Sequence, residues 1–186
     1  MFHVDAARSQ VVIEVRRGGS LARLGHDHVV ASHDVAGNIA PDEGRADFYV
    51  RLNELTVDEP DLRAGAGFDT QPDAEDIAGT RRNMLHKVLE TDRYPYAEIH
   101  MSDAGVNRFA GPVRFALTLH GVTRSVDAIA RRNDVAEDYS VEGTFSIDQS
   151  DFGITPLSVF GGAITVQDRV NISFRIHARR VDGAMR

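Results

Sequence analysis

The segment Gly25-His26-Asp27-His28 is the sharpest local concentration of chemistry-bearing side chains in this chain. In extended backbone His26 and His28 point to the same side, close enough to share a metal ion or a polar head group. Zinc needs a third and fourth ligand, and His33, an odd number of residues beyond His28, falls on the opposite face of an unbroken strand. The plain alternative is two histidines at a strand end, hydrogen-bonded or solvated. His120 precedes a glycine at another strand end, where it either caps a cavity mouth or satisfies groups at the turn. Arg81, Arg82 and His86 share one segment. Arginine suits a phosphate or carboxylate, yet Arg82 and His86, four apart, equally describe the wet face of a helix. His100 and His177 share strand faces with Glu98 and Arg175 and read as surface residues. The chain has no Gly-x-Ser-x-Gly elbow, no phosphate-cradling glycine loop and no His-Glu-x-x-His, so no catalytic residue is assigned.

The elements that must position these groups are organised around the stretch from Asp76 to Met101. Ile77, Met84, Leu85, Val88 and Leu89 fall on one helical stripe. Tyr94-Pro95 ends the helix, because proline disfavours helical geometry in the residue before it. Ala97, Ile99 and Met101 then alternate with Tyr96, Glu98 and His100, as a strand half buried and half wet requires. Elsewhere the chain reads as strands. Val11, Ile13 and Val15 alternate, as do Phe48, Val50 and Leu52, the run Val113 to Leu119, the run Tyr139 to Ile147 and the run Val170 to Ile176. Asp58 to Asp73, rich in Gly, Pro and Asp, reads as a long loop, with Thr70 and Asp73 only loosely resembling a capping pair. Phe152 to Asp168 reads as a long apolar, glycine-bearing loop.

About eight such strands most economically close into an antiparallel barrel, which removes exposed edges. A barrel of that size is either filled by side chains or just wide enough for one ligand. Phe115, Leu117, Phe145, Phe152, Phe160, Ile172 and Phe174 line that cavity or fill that core. The helix and the Phe160-Gly161-Gly162 loop are natural lids for an open end.

Composition narrows the function classes. The 186 residues carry a formal net charge of −7, which argues against a nucleic-acid partner and against electrostatic attachment to anionic membranes. The 42% hydrophobic content supports a sizeable core. There are no cysteines, so disulfides and thiolate chemistry are excluded. No signal peptide and no apolar run long enough to cross a bilayer is visible.

Two stretches, LTLHGVTRSVDA (Leu117 to Ala128) and SIDQSDFGI (Ser146 to Ile154), the latter followed by VQDRVNISFRI (Val166 to Ile176), resemble the YceI-like family. The helix followed by Tyr94-Pro95 and a strand fits in outline, and the order holds from about Phe2 to the last strand. The family's histidine-leucine pair in the helix reads Met84-Leu85 here, with His86 next. The resemblance implies an all-β fold, an extended lipocalin-like antiparallel β-barrel of about eight strands with one helix covering it. It implies an apolar interior holding one long amphiphile, such as a polyisoprenoid or a fatty-acid derivative, and no enzyme activity.

The expectation is one domain over residues 1–186 that carries, stores or shields a hydrophobic small molecule, without a cofactor, a nucleic acid or membrane insertion. A homodimer is the candidate assembly. His26, His28, Arg82 and His120 are expected at the mouth. The chain as written reads as cytoplasmic, and as periplasmic or secreted if a leader preceded it. The competing expectation, from a different class, is a metal-binding protein or metal-dependent enzyme centred on His26 and His28.

Overall fold

The structure, a computed structural model, describes residues 1–102, 110–133 and 138–181. Eight antiparallel staves close into a barrel. In chain order they are β1 (Phe2–Val4 and Gln10–Val15), β2 (His28–Ser32 and Val35–Ala40), β3 (Arg45–Arg51) and β4 (Tyr96–Ser102). They continue as β5 (Ala110–Leu119), β6 (Val122–Arg132), β7 (Tyr139–Asp148) and β8 (Arg169–Arg180). Each stave pairs with the next in sequence, and β8 returns to β1.

The closing seam explains the break in β1. β8 pairs with the second half of β1 from Asn171↔Glu14 to Arg175↔Gln10, and with the first half from Ala178↔Val4 to Arg180↔Phe2. The intervening turn, Ala6–Arg8, loses ladder bonds. The buried Ser9 hydroxyl replaces them by accepting the His177 N–H at 3.0 Å and donating to the Asp5 carbonyl at 2.8 Å.

The alternation read from the sequence sets the inner face. Val113, Phe115, Leu117 and Leu119 are buried on β5, and Ile172 and Ile176 on β8. The barrel is not uniformly filled. At one end Ile39, Ala46, Ala128, Ala130, Ala178 and Tyr139 form a solid plug. There Phe2 lies 5.2 Å from the Tyr139 ring, and the Arg132 guanidinium stacks 3.9 Å over it.

The other end is covered by α2 (Ala74–Asn83), which runs on as a π turn through Met84–Val88. Its far end is pinned to the β5–β6 hairpin. His120 and Gly121 both have positive φ, 52° and 75°, as a two-residue type I′ turn demands. His120 Nε2 sits 2.7 Å from Glu90 Oε2, and its ring lies 4.4 Å from that of Tyr94. A side chain at Gly121 would meet Tyr94 Cε1 at 2.8 Å. The Tyr-Pro stop thus docks on the hairpin.

Three expectations need correction. Asp58 to Asp73 is not all loop: α1 (Pro60–Ala66) forms there, with proline in its first turn and Gly67 in left-handed conformation at its end, the asymmetry that starts and stops helices. The cap of α2 is not a Thr70–Asp73 pair. Asp73 accepts the backbone N–H groups of Glu75 and Asp76, and Asp76 reciprocates. The apolar stretch from Phe152 to Asp168 contains a small hairpin, Ser158–Val159 with Ile164–Val166, whose second strand pairs with Arg17–Gly18.

Gly143 marks a close approach of backbone and ring in the wall. A Cβ there would lie 2.5 Å from the Ile129 carbonyl oxygen and 2.7 Å from the Phe174 ring. Backbone cannot yield as a flexible side-chain end can, so Gly143→Ala is expected to destabilise the fold by about 1–3 kcal/mol. A urea unfolding midpoint unchanged from wild type would contradict this reading.

Candidate functional site

Between the plug and the helix lies an apolar cavity of about 470 Å³. Its walls come from seven staves, among them Ile13 of β1, Val30 of β2, Phe48 of β3, Ile99 of β4, Phe115 and Leu117 of β5, Phe145 of β7 and Phe174 of β8. Phe145 packs edge-on to Phe115 at 5.2 Å and tilted to Phe174 at 6.2 Å. Met84, Val88 and Leu89 form the roof. The cavity opens where its lining residues reach solvent: Leu24 is 63% and Val159 40% exposed.

The polar side chains of the wall gather on the opening side. His28, Thr80, His26 and Arg17 all reach it. Behind them is a buried carboxylate. Asp58, whose side chain is fully excluded from solvent, accepts the His28 Nδ1–H at 2.6 Å, the Val29 N–H at 3.0 Å and Arg63 Nη1 at 2.7 Å. Arg63, also buried, donates further to the Asp27 carbonyl at 2.7 Å and to Thr70. Burial works to raise the Asp58 carboxyl, but the hydrogen bonds from His28, Val29 and Arg63 outweigh it and hold the group below its ordinary value. The knot therefore stands as a carboxylate–guanidinium pair with an imidazole oriented against it.

The sequence-selected residues divide cleanly. His26, His28, Phe115, Leu117, Phe145 and Phe174 line the cavity. His26 and His28 lie side by side, ring centroids 6.1 Å apart, while His33 turns away to Glu59. The other six lie off the wall. Arg81 donates to the carbonyls of Leu55 and Asn53, each at 2.8 Å, and ties the helix to the segment before α1. Arg82 and His86 are exposed on the outer face of the cover. His120 holds Glu90, Phe152 is buried in the core beside the cavity, and Phe160 points to solvent at 81% exposure. Among the described residues no group of three or more His, Asp or Glu side chains is placed to hold a metal.

Asp58, Arg63 and Thr80 were not selected from the sequence. Asp58 and Arg63 lie in the stretch read as loop. Pro60 at a helix start was the available signal for α1; nothing local marks Arg63 as buried.

Removing the carboxylate takes the acceptor from three donors, those of His28, Val29 and Arg63, so Asp58→Ala is expected to cost about 3–5 kcal/mol. A lowered folded-state pKa means that this carboxylate's contribution is fully present above the ordinary value of 3.8 and is lost as pH falls through the folded value. Urea unfolding of wild type and Asp58→Ala over an acid pH series checks both points. The gap between them should be constant above that value and close below it.

The fold has counterparts among solved structures. A polyisoprenoid binding domain from Saccharophagus degradans, implicated in plant cell wall breakdown, superposes with a TM-score of 0.67 at 16% identity, over 97% of this chain and 98% of that one. BcnA of Burkholderia cenocepacia superposes at 0.64 and 16%, over 94% and 98%. A YCEI protein of Campylobacter jejuni superposes at 0.55 and 17%, over 82% and 85%. At these identities the likeness is one of fold. Among curated proteins none matches the chain. The family model of the YceI-like domain matches residues 2–178, nearly the whole sequence. This chain belongs to the YceI-like family.

Proposed function

We propose that the chain binds one long-chain amphiphile, a polyisoprenoid or a fatty-acid derivative, in the barrel, to carry, store or shield it. The observation that carries this reading is the apolar cavity of about 470 Å³, roofed by a helix and open at one side. Its volume falls within the range typical of small-molecule sites, about 300–1,000 Å³. Burial of each methylene contributes roughly 0.8 kcal/mol, so a chain threaded from the opening towards the plug binds through its length and not through any single contact. The polyisoprenoid-binding domain of Saccharophagus degradans has the same fold, which supports the choice of cargo class. The metal reading has no comparable support, since the two histidines lack a third ligand among the described residues. Among the described residues no helix is long and apolar enough to cross a membrane.

Native mass spectrometry of freshly purified protein, followed by solvent extraction, should show a discrete added mass that extracts as a long-chain lipid. Ile13→Trp fills the middle of the cavity. It should weaken binding of an apolar fluorescent probe by tenfold or more and leave the barrel folded by circular dichroism. Undiminished probe binding in a folded Ile13→Trp protein would count against the cavity as the site.

A further inference from the structure

The polar groups at the opening are arranged to recognise one kind of head group. His28 Nδ1 faces the Asp58 carboxylate at 2.6 Å. A carboxylate accepts only, so a proton sits on Nδ1, and in the Nδ1–H tautomer the ring offers Nε2 as an acceptor. Asp58 is compensated by Arg63 in the same knot, so neutrality there does not require a charged imidazole. The only partner of His28 Nε2 among the described residues is the Thr80 hydroxyl at 3.5 Å, too long for a well-made bond. His26 repeats the pattern. Its Nε2 faces Asp76 at 3.5 Å, and its Nδ1 is buried without a partner among the described residues. One under-bonded acceptor, His28 Nε2, and one hydroxyl, that of Thr80, therefore belong to the part of the wall where a ligand's head would lie.

We propose that the Asp58–His28 pair selects the head of the bound amphiphile, taking an uncharged hydroxyl that donates to His28 Nε2 and accepts from Thr80, so that the ligand class is a long-chain alcohol. This rests on the cavity being the binding site. A carboxylate or phosphate head would set acceptor against acceptor. It would also meet no uncommitted guanidinium on the described wall, because Arg17 donates to both Asp69 oxygens and to the Gly25 carbonyl. An ether of the same length offers no donor and leaves Nε2 unpaired. An ammonium donates, but buries a charge beside a carboxylate already paired to Arg63.

The test compares geranylgeraniol with its methyl ether, its diphosphate and the matching amine, by displacement of a fluorescent probe from wild type and His28→Phe. Wild type should hold the alcohol about tenfold more tightly than the ether, and less tightly held diphosphate and amine should follow. In His28→Phe the alcohol and ether should become equal. Imidazole ¹⁵N NMR of the wild type, at mildly alkaline pH where an ordinary histidine is neutral, should show His28 protonated at Nδ1. Its Nε2 resonance should move with the alcohol and not with the ether, and this readout stands even if His28→Phe fails to fold. Equal binding of alcohol and ether by wild type, tightest binding of the diphosphate or amine, or a proton on Nε2 overturns the head-group assignment while leaving the cavity intact. Binding of none of the four overturns the cavity reading itself, and this inference with it.

Discussion

Backbone pairing across the seam between the first and last staves is the constraint on which the rest of the molecule depends. An open antiparallel sheet leaves two rows of unpaired N–H and C=O groups, and closure satisfies both. Here β8 must reach both halves of β1 at once. The chain meets that demand by interrupting β1 at Ala6–Arg8 and letting the Ser9 hydroxyl stand in for the lost ladder bonds. Once the ring is closed, its interior is fixed in size, and side-chain volume alone decides where it is solid. Alanines with Tyr139 and Ile39 fill one end; valines, leucines and isoleucines with four phenylalanine rings leave the other hollow.

Closure also creates a problem of capping, solved in two different ways. The helix is held from outside, by Arg81 on the carbonyls of Leu55 and Asn53 at one side and by Glu90 with Tyr94 on the β5–β6 hairpin at the other. The π turn rotates the apolar stripe so that Met84, Val88 and Leu89 roof the cavity while Arg82 and His86 stay wet. The opposing side of the opening is supported from within. Asp58, in a left-handed conformation at φ 55°, carries a backbone cost of order 1–3 kcal/mol, and its reciprocal bonds with Val29, together with those from His28 and Arg63, hold it there. One carboxylate thus joins the edge of β2, helix α1 and the imidazole at the cavity wall. Such a buried ion pair is weak evidence for net stability but sets orientation well.

How much of this was legible beforehand differs by element for physical reasons. Strand alternation has period two and needs no partner to be seen, so the inward sets of β5, β7 and β8 and the apolar stripe of the helix were correct from spacing alone. That His26 and His28 share a side followed from the same rule. The helix α1 was missed because its seven residues carry no apolar stripe long enough to register. The roles of Arg81, His120 and Phe160 were missed because they depend on which segment lies opposite, and spacing along one strand or helix says nothing of that.

The amino-acid order therefore settled the class of fold, the face each stave turns inward, the stop at Tyr94-Pro95 and the pairing of His26 with His28, since all of these are local consequences of backbone geometry. Folding decided what is hollow, what is plugged and what is charged at the wall. Those properties arise where residues distant in sequence meet: Asp58 with His28 across 30 positions, His120 with Glu90 across 30, and β8 with β1 across nearly the whole chain. Local periodicity carries no term for such meetings.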